Sequence, residues 1–152
     1  MALPNIFCQA VTDEVVARIN QLTPTTAPQW GKMNVAQMLA HCNVTYEMLY
    51  GHNHPKPNAL VRFMFKLFIK NTVVNEKPYA QNGGTAPQFL IKTDKDFDVE
   101  KRRLVAYIIQ TQTLGAAHFE QKESNSFGKL SSTEWNNMFY KHLNHHLTQF
   151  GV

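Results

Sequence analysis

Two segments of this chain carry both a start and a stop signal for an α-helix, and they constrain most of what the remainder can form. Asn34 is followed three residues later by Gln37, and Ser131 three residues later by Glu134. In this pattern the first side chain accepts from a backbone N–H inside the helix and the second reaches back to the cap. Gly51 and Gly151 stand just past the corresponding ends, where the chain must leave helical geometry. Helices are therefore expected over residues 34–50 and 132–149. A further helix is expected over 13–22, capped by Thr12, with Asp13 and Glu14 at the positive end of its dipole. Pro24 and Pro28 mark the loop after it. Residues 98–114 begin with acids and stop at Gly115. Only 88–92 reads as a short extended piece. Four or five helices and one long irregular connection predict an all-α bundle, and 152 residues with 43% hydrophobic content fit a single domain, 1–152, rather than a disordered chain.

The stretch 58–70 is the most apolar. Arg62, Lys66 and Lys70 recur every four residues and line one face, while Leu60, Val61, Phe63, Met64, Phe65, Leu67, Phe68 and Ile69 fill the rest. The expectation is a helix buried on most sides; a homodimer interface or a greasy substrate wall is the alternative. Its charges leave it too short to span a bilayer. Residues 71–95 read as a loop with a turn at Asn82-Gly83-Gly84, long enough to carry function. The first seven residues have no basic region and no sustained apolar core, so no secretory signal is expected. Cys8 and Cys42 read as free thiols of a reducing cytoplasm. The net charge of +4 is scattered, so neither nucleic-acid nor membrane binding is expected.

Seven histidines are present. His142 and His146 are four apart and share a helical face with Trp135, Met138, Phe139, Gln149 and Phe150. Asn136, Asn137, Lys141, Asn144 and Thr148 fall opposite, on the side expected to meet water. Two imidazoles on an interior face need partners, and one metal ion can satisfy both. His41, flanked by Asn34, Met38, Thr45 and Met48 on the second helix, also faces inward. Three neutral nitrogens from two helices suit Zn²⁺, Ni²⁺, Fe²⁺ or Mn²⁺ and leave a coordination position open. The competing reading satisfies the histidines with backbone or water. Gln149, one turn past His146, either bonds a ligand or does not. Thr45 is expected to bond a backbone carbonyl, Cys42 to fill the core, and His52 and His54 to lie exposed in a proline-rich loop.

The run Trp30-Gly31-Lys32-Met33-Asn34-Val35-Ala36-Gln37-Met38-Leu39-Ala40-His41-Cys42 resembles a branch of the DinB-like superfamily whose members carry a domain of unknown function. So do Phe127-Gly128-Lys129-Leu130-Ser131 with Trp135, and Tyr140-Lys141-His142-Leu143-Asn144-His145-His146. Ala86-Pro87-Gln88-Phe89 and Asp96-Phe97 in the middle are similar to it as well. The resemblance implies a four-helix bundle, with an extra short helix and one long loop here. It also implies one metal held by a histidine of the second helix and a His-x-x-x-His pair of the last. Matched residue by residue, these are His41, His142 and His146, with His145 as the substitute in a shifted register. Relatives often carry His-Pro before Phe-Gly-Lys-Leu, where this chain has Ser124-Asn125-Ser126.

Characterised members of that superfamily include thiol-dependent transferases; others resemble metal-dependent hydrolases. A divalent ion on three imidazoles keeps its charge and can lower the pKa of bound water or hold a thiolate. The resembling branch itself has no settled reaction; because no acid sits plainly beside the three histidines, the first expectation is a thiol-dependent S-transferase acting on a small electrophile, with a low-molecular-weight thiol as co-substrate. A metal-dependent hydrolase and a non-enzymatic dimeric metal-binding bundle are the alternatives. Glu47 and Glu134 lie off the histidine faces; Glu76, Glu120 and Glu123 would have to reach in from loops. No catalytic base is therefore assigned.

Overall fold

Both reciprocal caps form in the computed structural model, which describes residues 2–152, so Met1 of the expected domain lies outside them. The chain runs α1 (Gln9–Gln21), α2 (Val35–Tyr50), α3 (Ala59–Phe68), α4 (Lys70–Val74), a 3-10 turn at Pro87–Phe89 and α5 (Phe97–Phe119). A hairpin of β1 (Lys122–Ser124) and β2 (Gly128–Leu130) then leads into α6 (Ser132–Gln149). The protein is mostly helical, as the cap and periodicity signals predict. No helix among the described residues is long and apolar enough to cross a membrane.

The caps place the two helices that matter most. The Asn34 side chain accepts from the Gln37 backbone at 2.9 Å, and the Gln37 side chain accepts from the Asn34 backbone at 3.1 Å. Ser131 and Glu134 repeat the arrangement at 3.2 and 2.9 Å, and Glu134 also pairs with Lys70. Ser131→Ala should lower the stability of the chain by about 1 kcal/mol, read as a lower urea midpoint with an unchanged slope.

α2 packs most extensively on α5, and α6 touches α1, α2, α4 and α5. Their shared core is largely aromatic. Tyr46 and Phe139 stack at 5.3 Å, Trp135 and Phe139 at 5.4 Å, and Phe119 meets Phe139 edge-on at 5.6 Å. Ile6, Ile19, Leu39, Ile108 and Leu143 close the remaining space.

Several expectations are corrected. α1 begins a turn before Asp13, because the Cys8 carbonyl already accepts from Val11 and Thr12. Thr12 is inside the helix, and its hydroxyl donates to the Ile6 carbonyl at 2.7 Å. α5 does not end at Gly115. The chain breaks regular geometry there (φ 74°) and resumes for one turn, which delivers Phe119 to the core. The loop 71–95 contains the end of α4 and the 3-10 turn, which replaces the extended piece at 88–92. Pro87 presets the backbone for that turn, and among the described residues no strand lies alongside to pair with.

Asn136, Asn137 and Lys141 are buried, not on a water-facing side. Periodicity assigns polar groups to solvent because unpaired burial is costly, but here α4 and the N-terminal segment lie across that face and supply partners. Asn136 accepts from Ile6 N at 2.7 Å, and Asn137 donates to the Val74 carbonyl at 2.9 Å. The Lys141 ammonium donates to the carbonyls of Thr72 and Asn75, each at 2.7 Å. Conversely, α3 buries none of its residues. The expectation of a helix buried on most sides fails there.

Candidate metal centre

His41 sits about two turns into α2, so the Asn34 cap fixes both its height and its direction. His142 and His146 lie one turn apart on α6, where that helix crosses α2. The three rings meet. Their centroids are 4.9 Å apart for 41 and 142, 4.5 Å for 41 and 146, and 4.9 Å for 142 and 146. One nitrogen from each lies within 4.8 Å of the others, and the Nε2 atoms of His41 and His142 are 2.9 Å apart.

What surrounds the rings determines which nitrogen each one offers. The Nδ1 of His41 donates to the Phe89 carbonyl at 2.9 Å; a carbonyl only accepts, so the Nε2 of His41 presents a lone pair. The Nδ1 of His146 donates to Gln149 Oε1 at 2.8 Å. The amide orientation follows from the Gln149 NH₂ donating to the Trp30 carbonyl at 2.8 Å. His146 therefore also turns an Nε2 lone pair away from Gln149. His142 differs. Its Nδ1 meets the Thr45 hydroxyl at 3.2 Å, a group that can donate or accept. With Thr45 donating, His142 Nε2–H bonds the lone pair of His41. With Thr45 accepting, all three Nε2 atoms offer lone pairs to one point. Rotation of one hydroxyl and a proton shift within one ring convert the first arrangement into the second without moving a helix.

Such outer partners orient imidazole ligands and raise their basicity. Gln149→Leu removes the partner of His146, so divalent-metal affinity should fall about 10- to 100-fold with folding retained, as read by competitive chelator titration. The close approach also explains Gly31. Its φ is +85°, and a Cβ there would come within 2.5 Å of the Gln149 amide nitrogen.

The electrostatics keep all three rings neutral, the form that binds metals. Burial lowers the pKa of His41 against the opposing pull of the Phe89 carbonyl. Burial first, then the neighbouring His146 and His41, hold His142 well below its ordinary value. His146 is pushed down to about 3, mainly by burial. His41 and His146 are buried and His142 is half-buried, so the cluster is least covered at His142.

Phe89 was not singled out by sequence reasoning as a site residue, though its stretch belongs to the matched middle segment. It caps the cluster, with ring centroids 5.3 Å from His41 and 5.9 Å from His142. His145 stands beside the triad, between the rings of Trp30 and Tyr79 at 5.9 and 5.7 Å, and is not one of the three convergent residues. Thr45 bonds His142 instead of the expected backbone carbonyl, because α6 brings that ring within reach of its hydroxyl. Cys42 is core, as expected; its thiol lies 3.8 Å from the Met38 sulfur, and burial raises its pKa.

The carboxylates are engaged elsewhere. Glu47 accepts from Arg103 and from His54 Nε2 at 2.8 Å, and these bonds override burial to hold it below the usual range. His54 is therefore half-buried and paired, against the expectation of an exposed loop histidine; His52 is exposed as expected. Glu120 accepts from Ser132, and Glu123 pairs with Arg62. Ser124 and Asn125 shape the hairpin turn: Ser124 Oγ accepts from Phe127 N at 2.8 Å, and Asn125 donates to the Met48 carbonyl at 2.9 Å.

A family profile described as "protein of unknown function (DUF1569)" matches residues 9–151. The chain belongs to the DUF1569 family. The three histidines, Thr45, Phe89 and Gln149 of this DUF1569 chain all lie inside the matched span. No curated protein and no solved structure matched the chain.

Proposed function

We propose that this DUF1569 protein is a DinB-like four-helix-bundle metalloenzyme. It holds one divalent ion, Zn²⁺, Ni²⁺, Fe²⁺ or Mn²⁺, on the Nε2 atoms of His41, His142 and His146. The observation that carries the reading is the outward engagement of each Nδ1, by Phe89, Thr45 and Gln149, around a cluster kept neutral by burial. Two buried rings whose lone pairs point at one another's neighbourhood repel unless a proton or a cation lies between them.

The bound ion would polarise water or stabilise a thiolate. The protein's own part is to orient three nitrogens, to cover them with Phe89, and to leave them least covered at His142. Among the readings of that side, transfer of a low-molecular-weight thiol to a small electrophile is favoured over hydrolysis. Hydrolysis profits from a general base beside the attacking water, and Glu47, Glu120, Glu123 and Glu134 are held by Arg103, Ser132, Arg62 and the α6 cap. Turnover of a small aromatic electrophile by the metal-loaded protein should require an added thiol. Equal turnover with water alone would establish the hydrolase instead, and metal-free protein whose melting is unchanged by His142→Ala or His146→Ala would leave a structural bundle.

A further inference from the structure

α3 is oriented opposite to a helix that serves only its own core. Over its length Leu60, Phe63, Met64, Leu67 and Phe68 fall on one arc of about 140°, and their exposures are 71, 60, 45, 60 and 63%. Phe65, on the other side, packs against the core. Arg62 also turns toward the body of the protein, where it bonds Glu123 at 2.7 Å. The apolar arc thus faces outward and the cation inward. We propose that this arc is the interface of a homodimer, in which α3 of one copy packs against α3 of a second copy of the same chain.

Three observations select a second copy as the occupant. The first is area: with 150–250 Å² carried by each fully exposed aromatic side chain, these five residues present roughly 600 Å², approaching the ~800 Å² that each partner buries in a stable interface. The second is spacing. Leu60, Phe63 and Leu67 are separated by three and four residues, with Met64 beside them on the same arc, the seam that lets two helices interlock. The third is charge. Arg62 and Lys56 meet Glu123, and Lys70, just past α3, meets Glu134 at 2.7 Å. Lys66 is exposed but falls about 60° outside the arc, so the arc itself is neutral and complementary to itself, as a two-fold contact requires. A helix that lies on an anionic bilayer instead offers free Lys and Arg to headgroups.

The inference is independent of the metal. At about 20 µM, the untagged full chain should sediment at twice its single-chain mass. Leu60→Glu/Leu67→Glu should sediment as a single chain, with the dissociation constant raised about a hundredfold or more and with circular dichroism unchanged, because neither side chain is buried within one copy. Phe63→Ser/Phe68→Ser should give the same change in mass and guards against a folding effect of the introduced charges. A wild-type chain that sediments alone overturns the proposal, as do folded variants that stay dimeric. Single-chain wild type that co-floats with phosphatidylserine vesicles also overturns it and makes α3 a membrane-surface element.

Discussion

His142→Ala should take the chain from about one bound divalent ion to nearly none, with the helical circular dichroism retained. Removing one of three ligands forfeits a comparable share of the coordination free energy, so affinity should drop by about a thousandfold or more. The two remaining imidazoles cannot compensate, because His41 is held by Phe89 and His146 by Gln149 in orientations that suit three. His145 cannot slide into the vacant place while it sits between Trp30 and Tyr79. His146→Ala should behave alike. The check is elemental analysis of untagged wild-type and variant protein beside their thermal melts. Equal metal content in wild type and variant would mean that His142 is no ligand.

The second large effect is on acid stability. Burial depresses the proton affinities of the three histidines in the folded chain, that of His146 from an ordinary value of 6.5 to about 3. Between those two values the unfolded chain takes up a proton that the folded chain refuses. Stability is therefore full above about pH 6.5 and falls as the pH drops through that window. The loss should amount to a few kcal/mol for metal-free protein. Because the folded rings resist protonation, any bound ion should leave together with the helical signal. Chelator-detected metal release and circular dichroism followed over pH 7 to 4 should trace one transition. Release near pH 6 with intact helices would show that the rings titrate as exposed histidines do.

The parts of this molecule that were legible in the sequence are those governed by local rules. Asn34–Gln37 and Ser131–Glu134 place α2 and α6 because a capping box acts within four residues. The i, i+4 spacing of His142 and His146 puts both on one face without reference to the rest of the fold. The convergence of His41 with that pair was one of two readings that inward-facing positions on two helices allowed, and the resemblance implied it.

What was hidden depends on contacts between distant segments. Lys141 and Asn137 looked like solvent-facing positions because nothing in α6 announces that α4 will lie across them and accept their hydrogen bonds. Phe89 reaches His41 from 48 residues away through a 3-10 turn in a segment that reads as loop. The hairpin at β1 and β2 is three residues per strand, too short for an alternating pattern to emerge. α3 was misjudged for a different reason. Periodicity identifies an apolar arc but does not say whether the chain's own core or another copy covers it.

X-ray absorption at the metal edge of the purified, untagged protein tests the central claim most directly. Three imidazole nitrogens at about 2.0–2.1 Å, with one or more oxygen ligands completing the shell, are the predicted result. A spectrum dominated by sulfur at about 2.3 Å, or protein that takes up no divalent ion at all, would contradict it.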